Sequence, residues 1–171
     1  EGITYEQAAA SSEGAFYAYN FLNKVPLKPG EKILVNGATG GIGSALVQLL
    51  KHFKAEVTAT CGTANIDLVK GLGDVKVIDY TVEDFTKIDE KFSYVFDAVG
   101  KSTFGKCKPL LIPGGVYMAS DLGPWAQNLF LPFLTKLFGN KKVLFPMPTD
   151  CRDIILFVRD LMEKGEFKAV I

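Results

Sequence analysis

The chain has 171 residues and 18.6 kDa, with 48% hydrophobic and 22% charged residues, a composition that excludes disorder and supplies one domain-sized core. Lys plus Arg number 19 and Asp plus Glu number 19, with a pI near 6.9, which argues against nucleic acid or an anionic membrane as partner. Cys61, Cys107 and Cys151 lie too far apart for a disulfide framework or a metal knuckle, and His52 is the sole histidine. That pattern points to a reducing cytoplasm, to no metal, and away from Ser-His or Cys-His hydrolase arrangements.

In chain order, the turn residues Pro29 and Gly30 lead into an apolar run, Ile33 to Val35, that stops at Asn36-Gly37, as a short buried strand does. Ile42, Ala45, Leu46, Leu49, Leu50 and Phe53 then recur at the spacing of one helix face. Glu56 to Thr60 reads as a second strand, Ile66 to Leu72 as a helix closed by Gly73, and Val75 to Asp79 as a third strand. Tyr94 to Ala98 is a fourth strand, and the turn Pro113-Gly114-Gly115 opens a fifth, Val116 to Ala119. Lys142 to Phe145 makes a sixth.

Between the last two strands, Leu122 to Phe138 is the most apolar stretch, yet Pro124, Asn128, Pro132 and Lys136 leave its runs too short to span a bilayer. A last helix is predicted from about Cys151 to Lys164, with Asp150 as N-cap and Gly165 beyond its end. Strands alternating with helices imply right-handed crossovers and an α/β fold: a doubly wound, mostly parallel six-stranded sheet with helices on both faces.

The first strand and its helix are joined by Gly37-Ala38-Thr39-Gly40-Gly41-Ile42-Gly43, a variant of the dinucleotide pattern with Ala38, Gly40 and Gly43 at the three key positions. Gly40 lets the backbone approach a pyrophosphate, Gly43 lets the helix pack closely, and the helix N-terminus offers N–H groups to the phosphates. A structural turn that binds no phosphate is the alternative reading. An acidic residue about 20 positions beyond the glycines would bind the ribose 2′-hydroxyl of NAD. Cys61 stands there, followed by Gly62, Thr63, Ala64 and Asn65, so NADP is favoured over NAD; no Lys or Arg stands in that loop either.

The stretch from Ile33 to Lys51, ILVNGATGGIGSALVQLLK, resembles the medium-chain dehydrogenase/reductase superfamily, and most closely its zinc-independent quinone oxidoreductase branch. Val77-Ile78-Asp79-Tyr80, Phe96-Asp97-Ala98-Val99-Gly100 and Leu111 to Gly115 match that family's later strands in order and spacing, and Glu6 to Ala10 resembles the approach to its cofactor domain. The resemblance implies that residues 1–171 are an NAD(P)-binding Rossmann domain, with 1–28 leading in from a GroES-like substrate domain outside the chain and 168–171 as the strand leading back. A start at Glu1, without methionine, fits an excised domain or a removed leader.

By the same resemblance Ala38, Thr39, Gly40, Gly41, Ile42 and Gly43 bind pyrophosphate, while Cys61, Gly62, Thr63, Asn65 and Tyr80 surround the adenosine ribose. Ala98, Val99 and Gly100 lie along the cofactor, and Ser120 and Asp121 approach the nicotinamide. Gly62 and Ala64 replace the serine and basic residue common in NADP-using relatives, and Tyr17 replaces a small residue near the nicotinamide. Serine at 11 and 12, where zinc-dependent cousins carry a cysteine ligand, argues against catalytic zinc.

The implied activity is hydride transfer from NADPH to a quinone, enone or other activated carbonyl, with turnover depending on parts outside this chain. Its proton would come from solvent, ribose hydroxyls or an outside group; Tyr17 is a minor candidate, because a phenol is a weak acid. A short-chain dehydrogenase is disfavoured, because none of the tyrosines at 5, 17, 19, 80, 94 and 117 has lysine four residues later. A non-catalytic dinucleotide sensor or adaptor stays open as the rival reading. Trp125, Phe130, Phe133 and Phe138 are expected in helix packing or a substrate-pocket wall, with a partner or homodimer interface as the alternative.

Overall fold

The computed structural model describes residues 3–147 and 152–170. Six strands form one sheet: β1 (Lys32–Asn36), β2 (Glu56–Cys61), β3 (Val75–Asp79), β4 (Phe92–Asp97), β5 (Leu111–Ala119) and β6 (Lys142–Leu144). Their order is β3-β2-β1-β4-β5-β6 and every pairing is parallel, the doubly wound arrangement predicted above.

Alternation along the strands divides the apolar residues between two cores. Ile33, Val35, Tyr94, Phe96, Val116 and Met118 face one side of the sheet, where they meet helices α1 (Tyr5–Leu22), α2 (Gly41–His52), α3 (Ile66–Gly71) and α6 (Arg152–Glu163). Leu34, Val95, Tyr117 and Val143 face the other, packed with Phe104 and Cys107 of α4 (Phe104–Cys107) and Leu131 of α5 (Gln127–Phe138). Central strands are therefore apolar on both faces, and their sequences read as unbroken runs.

Several elements depart from the predicted boundaries. β5 begins at Leu111, which pairs with Phe92; Pro113-Gly114-Gly115 then lie in a register irregularity before pairing resumes between Tyr94 and Val116. α1 carries no clear apolar period, yet Thr4 and Gln7 form a reciprocal capping box at its start. Gly14 then lets α1 press on α2: a Cβ there would lie 2.5 Å from the Gly41 carbonyl oxygen.

α5 is turned the other way. Its polar Asn128 and Thr135 are buried, while Trp125, just before it, and Phe130, Phe133 and Phe138 are 97, 64, 68 and 85% exposed, so these aromatics do not serve core packing. From Lys168 to Val170 the chain forms no strand; the Gln48 side chain holds the Lys168 backbone N–H and carbonyl instead. The expected N-cap Asp150 and Cys151 lie outside the described residues. Among the described residues no helix is long and apolar enough to cross a membrane.

Candidate cofactor site

At the carboxyl end of the sheet the connections from β1 and β4 leave toward opposite faces, which opens a crevice between them. The turn from Gly37 to Gly43 forms one wall. Gly37 adopts φ +86, and a Cβ there would lie 2.3 Å from Val99 Cγ1, so the turn and the loop after β4 touch only because residue 37 is glycine. A Cβ on Gly43 would lie 2.0 Å from the Gly37 carbonyl oxygen, which places the start of α2 hard against the turn. At Gly40 nothing lies within 4 Å of a Cβ position. Gly40 is also the N-cap of α2, no side chain caps it, and no acidic residue occupies the first turn. The first N–H groups of a long helix are thereby free for an anion.

Beneath the crevice runs a buried polar chain that the sequence reading did not single out. Thr60 Oγ1 accepts from Gly37 N at 3.0 Å and donates to Asn36 Oδ1 at 2.7 Å. Asn36 Nδ2 donates to Asp97 Oδ1 at 2.9 Å, and Val99 N reaches the same oxygen at 3.3 Å. Asp97 Oδ2 accepts from Ser102 N at 2.8 Å and from the Tyr117 hydroxyl at 3.3 Å. Asp97 and Tyr117 are fully buried, and burial together with the Asp97 carboxylate pushes the Tyr117 phenol far above its ordinary value. The chain joins the ends of β2, β1, β4 and β5, fixing both crevice walls. Its signal in the sequence is a polar residue closing each of several apolar strands.

Other site residues fall in two groups. At one end Cys61, Gly62, Thr63 and Asn65 follow β2, and parallel pairing of Cys61 with Asp79 brings Tyr80 beside them, its backbone N–H on the Cys61 carbonyl at 3.1 Å. Thr63 and Thr81 donate to Asp79, which holds its carboxyl below the usual carboxylate range. Burial, then Asp79, pushes the Cys61 thiol up. The sequence reading weighed carboxylates only after β2; this one arrives from β3, through the sheet register.

At the opposite end Ala98, Val99 and Gly100 follow β4, while Ser120 and Asp121 follow β5. Gly100, at φ +62, packs on the Asp121 carboxyl. Asn128 Nδ2 donates to the Asp121 carbonyl at 3.0 Å, and Asp121 Oδ1 and Asn128 Oδ1 are buried without a hydrogen-bond partner among the described residues. Two orphaned acceptors at this end suit the N–H donors of a carboxamide, and the open backbone at Gly40 suits a pyrophosphate. The residues present thus fit a nicotinamide dinucleotide. Tyr17 lies on α1, three residues beyond Gly14, and among the described residues no hydrogen bond joins it to this constellation. Among the described residues no three of His, Cys, Asp and Glu converge where they could hold a metal ion.

The zinc-binding dehydrogenase family matches residues 72–171, more than half of the chain. The chloroplastic quinone-oxidoreductase QR1 of Triphysaria versicolor is 33% identical over 148 residues, 84% of this chain and 44% of that one. The chloroplastic NADPH-dependent alkenal/one oxidoreductase of Arabidopsis thaliana is 36% identical over 102 residues, 58% of this chain and 26% of its own length. Among solved structures, a Pseudomonas syringae quinone oxidoreductase superposes with TM-score 0.78 at 26% identity, over 98% of this chain and 56% of that one. The chain spans about half or less of the curated relatives it matches. It belongs to the medium-chain dehydrogenase/reductase superfamily, where it corresponds mainly to the cofactor-binding region of the quinone oxidoreductase-like members.

Proposed function

We propose that this chain binds NAD(P)H across the carboxyl end of its sheet, as the cofactor domain of a reductase for quinones, enones or other activated carbonyls that works without zinc. The observation that carries the reading is Gly40, where an uncapped helix start meets a backbone with room for a pyrophosphate. The bound cofactor supplies the hydride. Gly37 and Gly43 hold the turn in contact with its neighbours, and α2 directs N–H groups at the phosphates. Asp97 positions the loops after β1 and β4, while Asp121 and Asn128 offer acceptors that orient the ring end. The proton comes from solvent, ribose hydroxyls or a group outside these residues.

Sequence alone favoured NADPH because no carboxylate ends β2. Asp79 at the end of β3 removes that ground, so the proposal here is for NAD(P)H. Calorimetric titration of the chain tests it: saturable binding of NADH or NADPH is expected, and no binding of either at millimolar concentration would refute it. The aromatic surface around α5 supports a second reading, a dinucleotide-bound sensor or adaptor that docks a partner there. Cofactor oxidation by the full-length protein with any member of a quinone and enone panel would count against that reading.

A further inference from the structure

α5 is held to the sheet by its polar side. Asn128 Nδ2 donates to the Asp121 carbonyl at 3.0 Å. Thr135 Oγ1 donates to the Leu131 carbonyl at 2.7 Å and accepts from Val143 N of β6 at 3.0 Å. Phe130, Phe133, Leu134, Leu137 and Phe138 are left exposed on its outer side. A helix packed on a core ordinarily turns the other way, because apolar area in water costs free energy. Just before the helix stands Trp125, almost fully exposed, on a turn where both Trp125 (φ +56) and Ala126 (φ +54) are left-handed. That conformation is costly for a residue with a Cβ, and an indole so exposed adds no packing.

The same part of the molecule is basic. The balanced charge of the whole chain is an average: residues 98–147 carry Lys101, Lys106, Lys108, Lys136, Lys141 and Lys142 against a single carboxylate, Asp121. Among the described residues none of these lysines forms an ion pair. Lys141 Nζ donates to the Lys108 carbonyl at 2.8 Å, which gathers Lys108, Lys141 and Lys142 near the end of α5 that carries Lys136 and Phe138.

We propose that α5 and Trp125 form a docking face for an anionic lipid bilayer, with the aromatic and leucine side chains at headgroup level and the lysines on the lipid phosphates. α5, 12 residues long, lies along such a surface and does not cross it. Tryptophan favours the boundary between headgroups and acyl chains, and each lysine near an anionic leaflet adds attraction. Other occupants fit less well. Protein interfaces are depleted in lysine, whereas membrane-surface helices carry it together with Trp, Phe and Leu. A second copy of this chain on a two-fold axis would set the same lysines against each other. The docking stands independently of cofactor binding.

Trp125 is the single tryptophan of the chain, so its emission reports the contact directly. Vesicles containing phosphatidylserine are expected to shift that emission to the blue and to carry the protein with them in flotation. Vesicles of phosphatidylcholine alone are expected to bind at least about tenfold more weakly, since the lysines lose their anionic partners. Phe130→Ser combined with Phe133→Ser, and Lys136→Glu combined with Lys142→Glu, alter exposed positions. Each pair is expected to weaken vesicle binding about tenfold or more while leaving thermal unfolding unchanged. No binding to the anionic vesicles, equal binding to both kinds, or wild-type binding by both variants would overturn the proposal. A dimer in light scattering that Phe130→Ser with Phe133→Ser dissociates, its Trp125 emission already blue without lipid, would give the face to a second copy and overturn it as well. Flotation of the full-length protein is expected to match that of the chain; its failure would mean that another part of the protein covers the face, and the proposal would fall.

Discussion

Gly40 and Gly43 belong to one motif, yet the structure assigns them opposite sensitivities to a methyl group. A Cβ on Gly43 would lie 2.0 Å from the Gly37 carbonyl oxygen, 2.8 Å from its carbon and 3.0 Å from Ala38 Cα, all backbone atoms that cannot rotate away. Relief requires α2 to retreat, and α2 buries Ala45, Leu46, Leu49 and Leu50 in the core. Overpacking of this kind costs about 1–3 kcal/mol. In a chain of this size each kcal/mol lowers Tm by about 2–4 °C, so Gly43→Ala is expected to lose roughly 2–12 °C.

Gly40 sits at φ −77 with nothing within 4 Å of its Cβ position. Gly40→Ala gives up an N-cap preference and gains chain stiffness, two effects that keep stability within about 1 kcal/mol of wild type. Its methyl projects where a pyrophosphate would approach, and a similar overpacking cost there weakens NAD(P)H binding about tenfold or more. Thermal unfolding and calorimetric titration of both variants are the assays. Wild-type affinity in Gly40→Ala would refute the phosphate contact, and unchanged Tm in Gly43→Ala would refute the packing argument.

Three further outcomes follow from buried or paired groups. Asp97→Ala strands four donors, from Asn36, Val99, Ser102 and Tyr117, and is expected to cost at least about 3 kcal/mol in urea unfolding; a loss below about 1 kcal/mol would refute the role of this chain. Cys107, fully buried with its thiol pushed up to about 11, is expected to resist alkylation at pH 8 until the protein unfolds, as peptide mapping would show. Glu90 bridges Lys32 and Lys76, and the Lys76 hydrogen bond leads in holding its carboxyl below the ordinary value. Its contribution is therefore complete above the ordinary glutamate range and disappears as pH falls through the lowered value. Because the bridge is partly exposed, Glu90→Gln is expected to cost no more than about 1 kcal/mol at pH 7 and low salt. The difference from wild type should shrink as pH falls below the ordinary glutamate range; a loss that does not change with pH would contradict the assignment.

Much of the fold was legible because its signals are local. The Ile33 to Val35 run, the helix spacing from Ile42 to Phe53 and the β-branched residues of β2 each name their element within one or two turns of chain. The helix α1 was not legible as such, since its alanines and serines lack a clear stripe and its place depends on Gly14 meeting Gly41. α5 reads as an ordinary apolar helix, and only packing reveals that its polar side faces inward. The glycine turn after β1 was legible from its spacing and flanking elements, but the rest of the crevice was only partly so.

What the amino-acid order determined by itself is one neutral α/β domain with a glycine turn between its first strand and helix, because periodicity and turn chemistry act over a few residues. Tertiary structure alone decided which strand ends meet. Thr60, Asn36, Asp97 and Tyr117 come from four strands, and Asp79 reaches the loop after Cys61 only through the parallel register of β2 and β3. Those contacts span long stretches of chain, and no local spacing encodes which strand ends will stand side by side.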